Sequence, residues 1–192
     1  MGGYNNWRLR TGRTQHPNWV EVEDINVKVE NLTPHVLEVE TKADGTFYPK
    51  TKNMFGQRFV MEGFKGCHTE NALKDYVRIN GGSYSVKNKS IGIGNVYEGQ
   101  PVIYLNGNEY VKINGRFVEY ESGKLGGTSS FFPESWSNAR IKEEVEYAIA
   151  HNHGLAADGS NQYFGYTKSG YIEIRFYINA DGSIGSYFPK KI

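Results

Sequence analysis

Two short segments of this 192-residue chain carry the side chains best suited to acid–base chemistry. The first, residues 63–69, reads G-F-K-G-C-H-T and sets His68 directly before a threonine that can cap a helix. An unperturbed imidazole titrates near a pKa of about 6.5, so a histidine there can give or take a proton at neutral pH. Anions also bind well at helix N-termini, where N–H groups and the helix dipole point outward. The second segment, residues 122–137, reads S-G-K-L-G-G-T-S-S-F-F-P-E-S-W-S and puts Lys124 in a loop of small residues. Such a loop exposes backbone N–H groups and lets a lysine reach a phosphate. It is not a P-loop, because the G-x-x-x-x-G-K-[ST] order is missing. A proton shuttle and an ammonium on separate elements are two parts of a phosphodiester-cleaving site that needs no metal. The plainer readings are a turn histidine bonded to its own helix and an exposed hairpin lysine.

The other candidates are weaker. His151 and His153 form H-x-H at a helix end, without the carboxylate or cysteine spacing of a metal site. Cations placed at a helix C-terminus account for them more simply. His16 and His35 each adjoin a proline and are expected at the surface. Cys67 adjoins His68, but neighbours in a turn point apart, so it is not expected to be a nucleophile. Tyr163, Tyr166, Tyr171, Tyr177, Tyr187 and Phe188 crowd the C-terminal strands. Half of them should be core, and one or two could stack on a base.

Composition narrows the class. The length suits one domain with an N-terminal extension and can bury a substantial core. A net charge of +1 means that any affinity for nucleic acid requires a local basic patch. One cysteine excludes an internal disulfide and a multi-cysteine metal site, and allows folding in a reducing cytosol. No apolar run approaches the ~20 residues that span a bilayer. No signal-peptide pattern follows Met1.

These side chains need elements to hold them. Residues 1–18 are polar and read as a tail or linker. Residues 20–29 alternate as a half-exposed strand does, residues 36–39 suggest another, and a soft boundary falls near residue 54. Thr69 opens a helix to residue 79, with Ala72, Leu73, Tyr76 and Val77 on one face and Gly81-Gly82 at its end. Residues 83–120 read as a meander, with Asn106-Gly107 and Asn114-Gly115 as tight turns. Ser137 caps a second helix to residue 151, lined by Ile141, Val145, Ala148 and Ile149, and Gly154 suits its stop. Strands follow at 163–167, 171–178 and 184–188. The order helix, sheet, helix, sheet predicts an α+β fold with two small sheets.

Three segments together point further: G-x-x-G-C-H at 63–68, K-x-x-x-T-S-S-F-F-P-E-S-W-S at 124–137, and Y-T-K-S-G-Y-I-E-I-R-F-Y-I-N-A-D-G-S-I-G-S-Y-F-P at 166–189. They resemble a bacterial EndoU nuclease domain, the type that ends contact-dependent inhibition and other polymorphic toxins. The resemblance covers residues 55–192 and sets residues 1–54 apart as an N-terminal extension. It implies an EndoU-like α+β fold: two small antiparallel sheets in pseudo-symmetric halves, flanking helices, and RNA in a central cleft. It implies RNA cleavage to a 2′,3′-cyclic phosphate by two histidines and a lysine, with no metal and no cofactor. A Thr or Ser and a Tyr near the C-terminus hold the uridine or the phosphate. Residue by residue, His68 matches the second histidine, Lys124 the lysine and Ser186 the Thr/Ser. The closing tyrosine position reads Phe188, with Tyr187 beside it. The region of the first histidine, residues 57–62, has no histidine, which leaves Arg58, His35 or neither for that role. Thr128 and Arg58 join Tyr187 and Phe188 as expected substrate-binding residues. The implied partners are RNA, with tRNA foremost, and a cognate immunity protein; the implied state is a monomer. The implied place is a secreted or cell-surface toxin part delivered to the target-cell cytoplasm. Two readings from other classes compete: a non-catalytic RNA- or protein-binding module on the same scaffold, and a sugar- or protein-binding β domain.

Overall fold

The computed structural model describes residues 50–52, 59–65, 67–113, 116–120, 122–123 and 126–192. The expected strands at 20–29 and 36–39 lie outside the described residues. The described residues fall into two compact units, one ending at Glu134 and one beginning at Ser135.

The first unit is an antiparallel sheet with one helix. Its strands are β1 (Lys50–Lys52), β2 (Phe59–Lys65), β3 (Ser83–Ile91), β4 (Tyr97–Leu105), β5 (Asn108–Ile113), β6 (Arg116–Glu119) and β7 (Ser129–Phe131). Their order is β1-β2-β6-β5-β4-β3, and β7 pairs with β4. Strand β1 pairs with β2, so this sheet draws on residues from both sides of position 54. Helix α1 (Glu70–Asn80) begins as its sequence dictates. Thr69 Oγ1 accepts the Ala72 N–H at 3.2 Å, and Gly81, at φ +79°, closes the last turn on the Val77 carbonyl at 2.8 Å. Its buried face, Ala72, Leu73 and Tyr76, packs with Tyr97, Ile103, Leu105, Tyr110, Phe117 and Phe131. The Asn106-Gly107 turn joins β4 to β5 with both residues at positive φ, the signature of a type I′ hairpin.

Among the described residues β3 has one neighbour, β4, and so forms an outer edge. Its register shifts between Lys87 and Ser90, where Asn88 takes φ +53°. Lys87 pairs with Glu109 at 3.3 Å, and Lys89 bridges Glu70 at 2.8 Å and Glu134 at 2.6 Å.

The second unit packs helix α2 (Asn138–Ala150) on a sheet of order β11-β10-β9-β8. These strands are β8 (Gly154–Leu155), β9 (Tyr163–Tyr166), β10 (Glu173–Ile178) and β11 (Ile184–Lys190), all antiparallel. Ser137 Oγ accepts the Arg140 N–H at 3.2 Å, and Arg140 lies over the Trp136 ring at 4.4 Å. Ile141, Val145, Ala148 and Ile149 are buried, the face expected from their spacing. The helix ends at His151 instead of running on to Gly154. The His151 N–H and its Nδ1 both bond the Tyr147 carbonyl, and its ring stacks on Tyr147 at 4.2 Å. Gly165 of β9 lets α2 sit directly on the sheet: a Cβ there would meet the Ala148 carbonyl oxygen at 2.1 Å. The architecture is therefore α+β, with two helices and two antiparallel sheets among the described residues.

Candidate active site

His68 sits one residue before the α1 cap, in the turn that follows β2. It is half-buried, and two hydrogen bonds to one short segment fix it. Its Nδ1 lies 2.7 Å from the Ser130 carbonyl oxygen, and its own carbonyl accepts the Phe132 N–H at 2.9 Å. A carbonyl only accepts, so Nδ1 carries the proton. In the neutral ring Nε2 then holds the lone pair, the arrangement that a general base requires. The residues around this turn are tightly determined. Cys67 takes φ +49°, unusual for a side chain with a Cβ, and is 1% exposed. Burial pushes its thiol pKa up to about 12, so it is a packing residue and not a ready nucleophile. Glu70, in the first turn, would repel a phosphate, but Lys89 neutralises it.

The partner segment is the one whose sequence stood out. Phe131, Phe132 and Pro133 are all buried, and Phe131 stacks on Tyr97 at 5.0 Å. This packing holds β7 in place and so holds the Ser130 carbonyl that His68 uses. Thr128 is exposed in the loop just before β7. Lys124, Arg58, His35 and His16 lie outside the described residues.

One functional candidate escaped the sequence reading. Lys112 on β5 is 8% exposed, and its Nζ donates to Ser129 Oγ at 2.7 Å. Burial lowers its pKa from the ordinary lysine value, with Cys67 opposing that fall. A lysine near the end of a strand reads in sequence as a solvated residue. Nothing local signals that both faces of this strand are covered.

The second unit carries the other candidates. Ser186 and Tyr177 face each other across β11 and β10, and both line a cavity of about 430 Å³ with Asn161, Asn179 and Gly185. The Tyr177 hydroxyl accepts from Gln162 Nε2 at 2.9 Å, and Gln162 Oε1 accepts from Arg175 at 3.2 Å. Arg175 also bonds Asp158 at 2.9 Å and Glu173 at 3.0 Å, which makes a fixed polar floor beside the cavity. Phe188 is half-buried, its ring 6.3 Å from that of Tyr177. Tyr187 points to the other side of β11 and is fully buried, so of the two aromatic neighbours Phe188 is the one near the surface.

His151 and His153 are exposed, and His153 stacks on Phe164 at 5.4 Å. Among the described residues no group of three or more His, Cys, Asp or Glu side chains is arranged to hold a metal ion. No helix among them is long and apolar enough to cross a membrane.

No curated protein and no solved structure is significantly similar to this chain. One protein family is: the profile of the bacterial EndoU nuclease matches residues 35–191. With the motifs at 63–68, 124–137 and 166–189 inside that span, the chain belongs to the bacterial EndoU nuclease family.

Proposed function

We propose that this protein is a metal-independent RNA endonuclease that cuts by attack of a ribose 2′-OH and leaves a 2′,3′-cyclic phosphate. The observation that carries this reading is the Ser130 carbonyl on His68 Nδ1, which leaves Nε2 as the basic nitrogen of the neutral ring. His68 then takes the 2′-OH proton, the oxygen attacks phosphorus, and the 5′ oxygen leaves with a proton from an acid. His68 serves the same linkage as acid in the reverse direction. Lys124 neutralises charge on the phosphoryl oxygens, an effect worth several kcal/mol in a water-poor site, typically about 3. Since the nucleophile is the 2′-OH, DNA is not a substrate.

Ser186, Tyr177 and Phe188 would receive the nucleotide on the β10–β11 face. Two amides, two hydroxyls and an aromatic ring suit a base that offers both hydrogen-bonding edges and a π-face. Removing one hydroxyl from such a site costs about 1 kcal/mol, so Ser186→Ala should raise KM roughly fivefold and leave the fold unchanged. An unchanged KM for RNA cleavage removes Ser186 from the binding site.

The biological setting follows the family. The domain would be the toxic part of a secreted or cell-surface protein, act on tRNA in the target-cell cytoplasm, and be covered by an immunity protein in the producer. Incubation with total tRNA in the presence of a chelator, followed by end analysis of the fragments, tests the chemistry. Cyclic-phosphate ends support it. RNA that is shifted on a gel but never cut favours a non-catalytic binding module instead, the reading that the region 57–62 without a histidine keeps alive.

A further inference from the structure

Lys112 has no place in the chemistry above, yet it touches the surroundings of His68 from two directions. Its main-chain carbonyl accepts the Gly127 N–H at 2.5 Å, and its Nζ donates to Ser129 Oγ at 2.7 Å. One residue therefore grips the chain at 127 and again at 129. The intervening fit is close. A Cβ on Gly126 would stand 3.0 Å from Val111 Cβ, and one on Gly127 would stand 3.1 Å from the Lys112 carbonyl. The next residue, Ser130, gives its carbonyl to His68 Nδ1. Successive α-carbons are about 3.8 Å apart, so the two anchor points belong to one peptide unit. From the other side, the charge of Lys112 bears on the thiol of Cys67, the residue before His68.

The choice of lysine also needs a reason. Tyr110, two residues earlier on the same face, and Phe117, the cross-strand partner, are both core residues. An apolar side chain of similar length would fill this space without the desolvation that a buried ammonium suffers. Packing alone does not call for a lysine here. A donor that reaches Ser129 does.

We infer that Lys112 is a positioning residue for His68: by clamping residues 127–129 it aims the Ser130 carbonyl at Nδ1 and so fixes the imidazole tautomer and direction. Its consequence for turnover rests on the ribonuclease reading, but the clamp itself does not.

The test uses the whole chain, with ¹⁵N NMR of the His68 imidazole and RNA-cleavage kinetics on wild type, Lys112→Met and Ser129→Ala. In wild type the two ring nitrogens should report a single Nδ1–H tautomer. In Lys112→Met that preference should be lost. Cleavage should fall about 10–100-fold in kcat, as it does when a histidine loses its orienting contacts, with KM little changed. Ser129→Ala removes only the acceptor and should shift the imidazole in the same direction, which decides the matter if Lys112→Met does not fold. His68 ring signals identical to wild type in the folded variant overturn the inference, whatever happens to its melting temperature. Wild-type protein that leaves RNA intact would sink the ribonuclease reading instead, and the imidazole signals would still decide on Lys112.

Discussion

His68→Ala abolishes RNA cleavage and leaves the fold intact. A positioned proton-transfer group contributes about 10²- to 10⁴-fold, so single-turnover rates should drop by roughly three orders of magnitude. The fold should survive because little structure depends on the ring. The residue lies outside α1, whose cap is Thr69 and whose buried face is Ala72, Leu73 and Tyr76. The main-chain bond from Phe132 to the His68 carbonyl needs no side chain. What is lost is one half-buried hydrogen bond, worth about 1 kcal/mol. Circular dichroism and a thermal melt close to wild type, together with a dead nuclease, are the expected pair. A variant that cuts RNA at the wild-type rate would remove His68 from the chemistry and leave the proposed mechanism without its only described proton carrier.

Gly165→Ala should unfold the second unit far more readily than any surface change. The added methyl would lie 2.1 Å from the Ala148 carbonyl oxygen and 2.9 Å from the carbon behind it. Both atoms are backbone, in the middle of α2, so no side chain can swing aside. Either the helix lifts from β9 or the strand bends, and either movement opens the packing of Ile141, Val145 and Ile149. Overpacking a core typically costs about 1–3 kcal/mol, and a rigid backbone obstacle belongs at the upper end or beyond. For a chain of this size that corresponds to a fall in Tm of roughly 10 °C. Trp136, buried at the start of α2 beneath Arg140, sits where its fluorescence would follow the loosening. A wild-type melt for Gly165→Ala would mean that helix and strand are not in contact there.

The two helices were legible because their ends are written in local code. Thr69, Gly81 and Ser137 each satisfy backbone groups within four residues of themselves, so a reader of the sequence meets the whole interaction at once. The Asn106-Gly107 hairpin is legible for the same reason, since few other pairs tolerate positive φ at both positions. Short strands are not: β1, β7 and β8 have two or three residues each and exist only because a distant strand completes their hydrogen bonds. The site divides along the same line. The sequence marks out His68, through the cap that follows it. Its hydrogen bond to Ser130 spans 62 positions, and no local pattern encodes it. Lys112 is hidden for a similar reason, because its burial comes from Ser129 and Cys67 and not from its own neighbours. Alternation along β11 does separate Tyr187 from Phe188, and the structure assigns the buried side to Tyr187.

The outer strand β3 has a consequence for the protein in concentrated solution. A second chain adding to that border would need an uninterrupted run of evenly spaced donors and acceptors. It would meet the kink at Asn88 and lysines already committed to Glu109, Glu70 and Glu134. Edge-to-edge stacking into larger assemblies is thereby discouraged at this border, and the strand can stay exposed without nucleating fibrils.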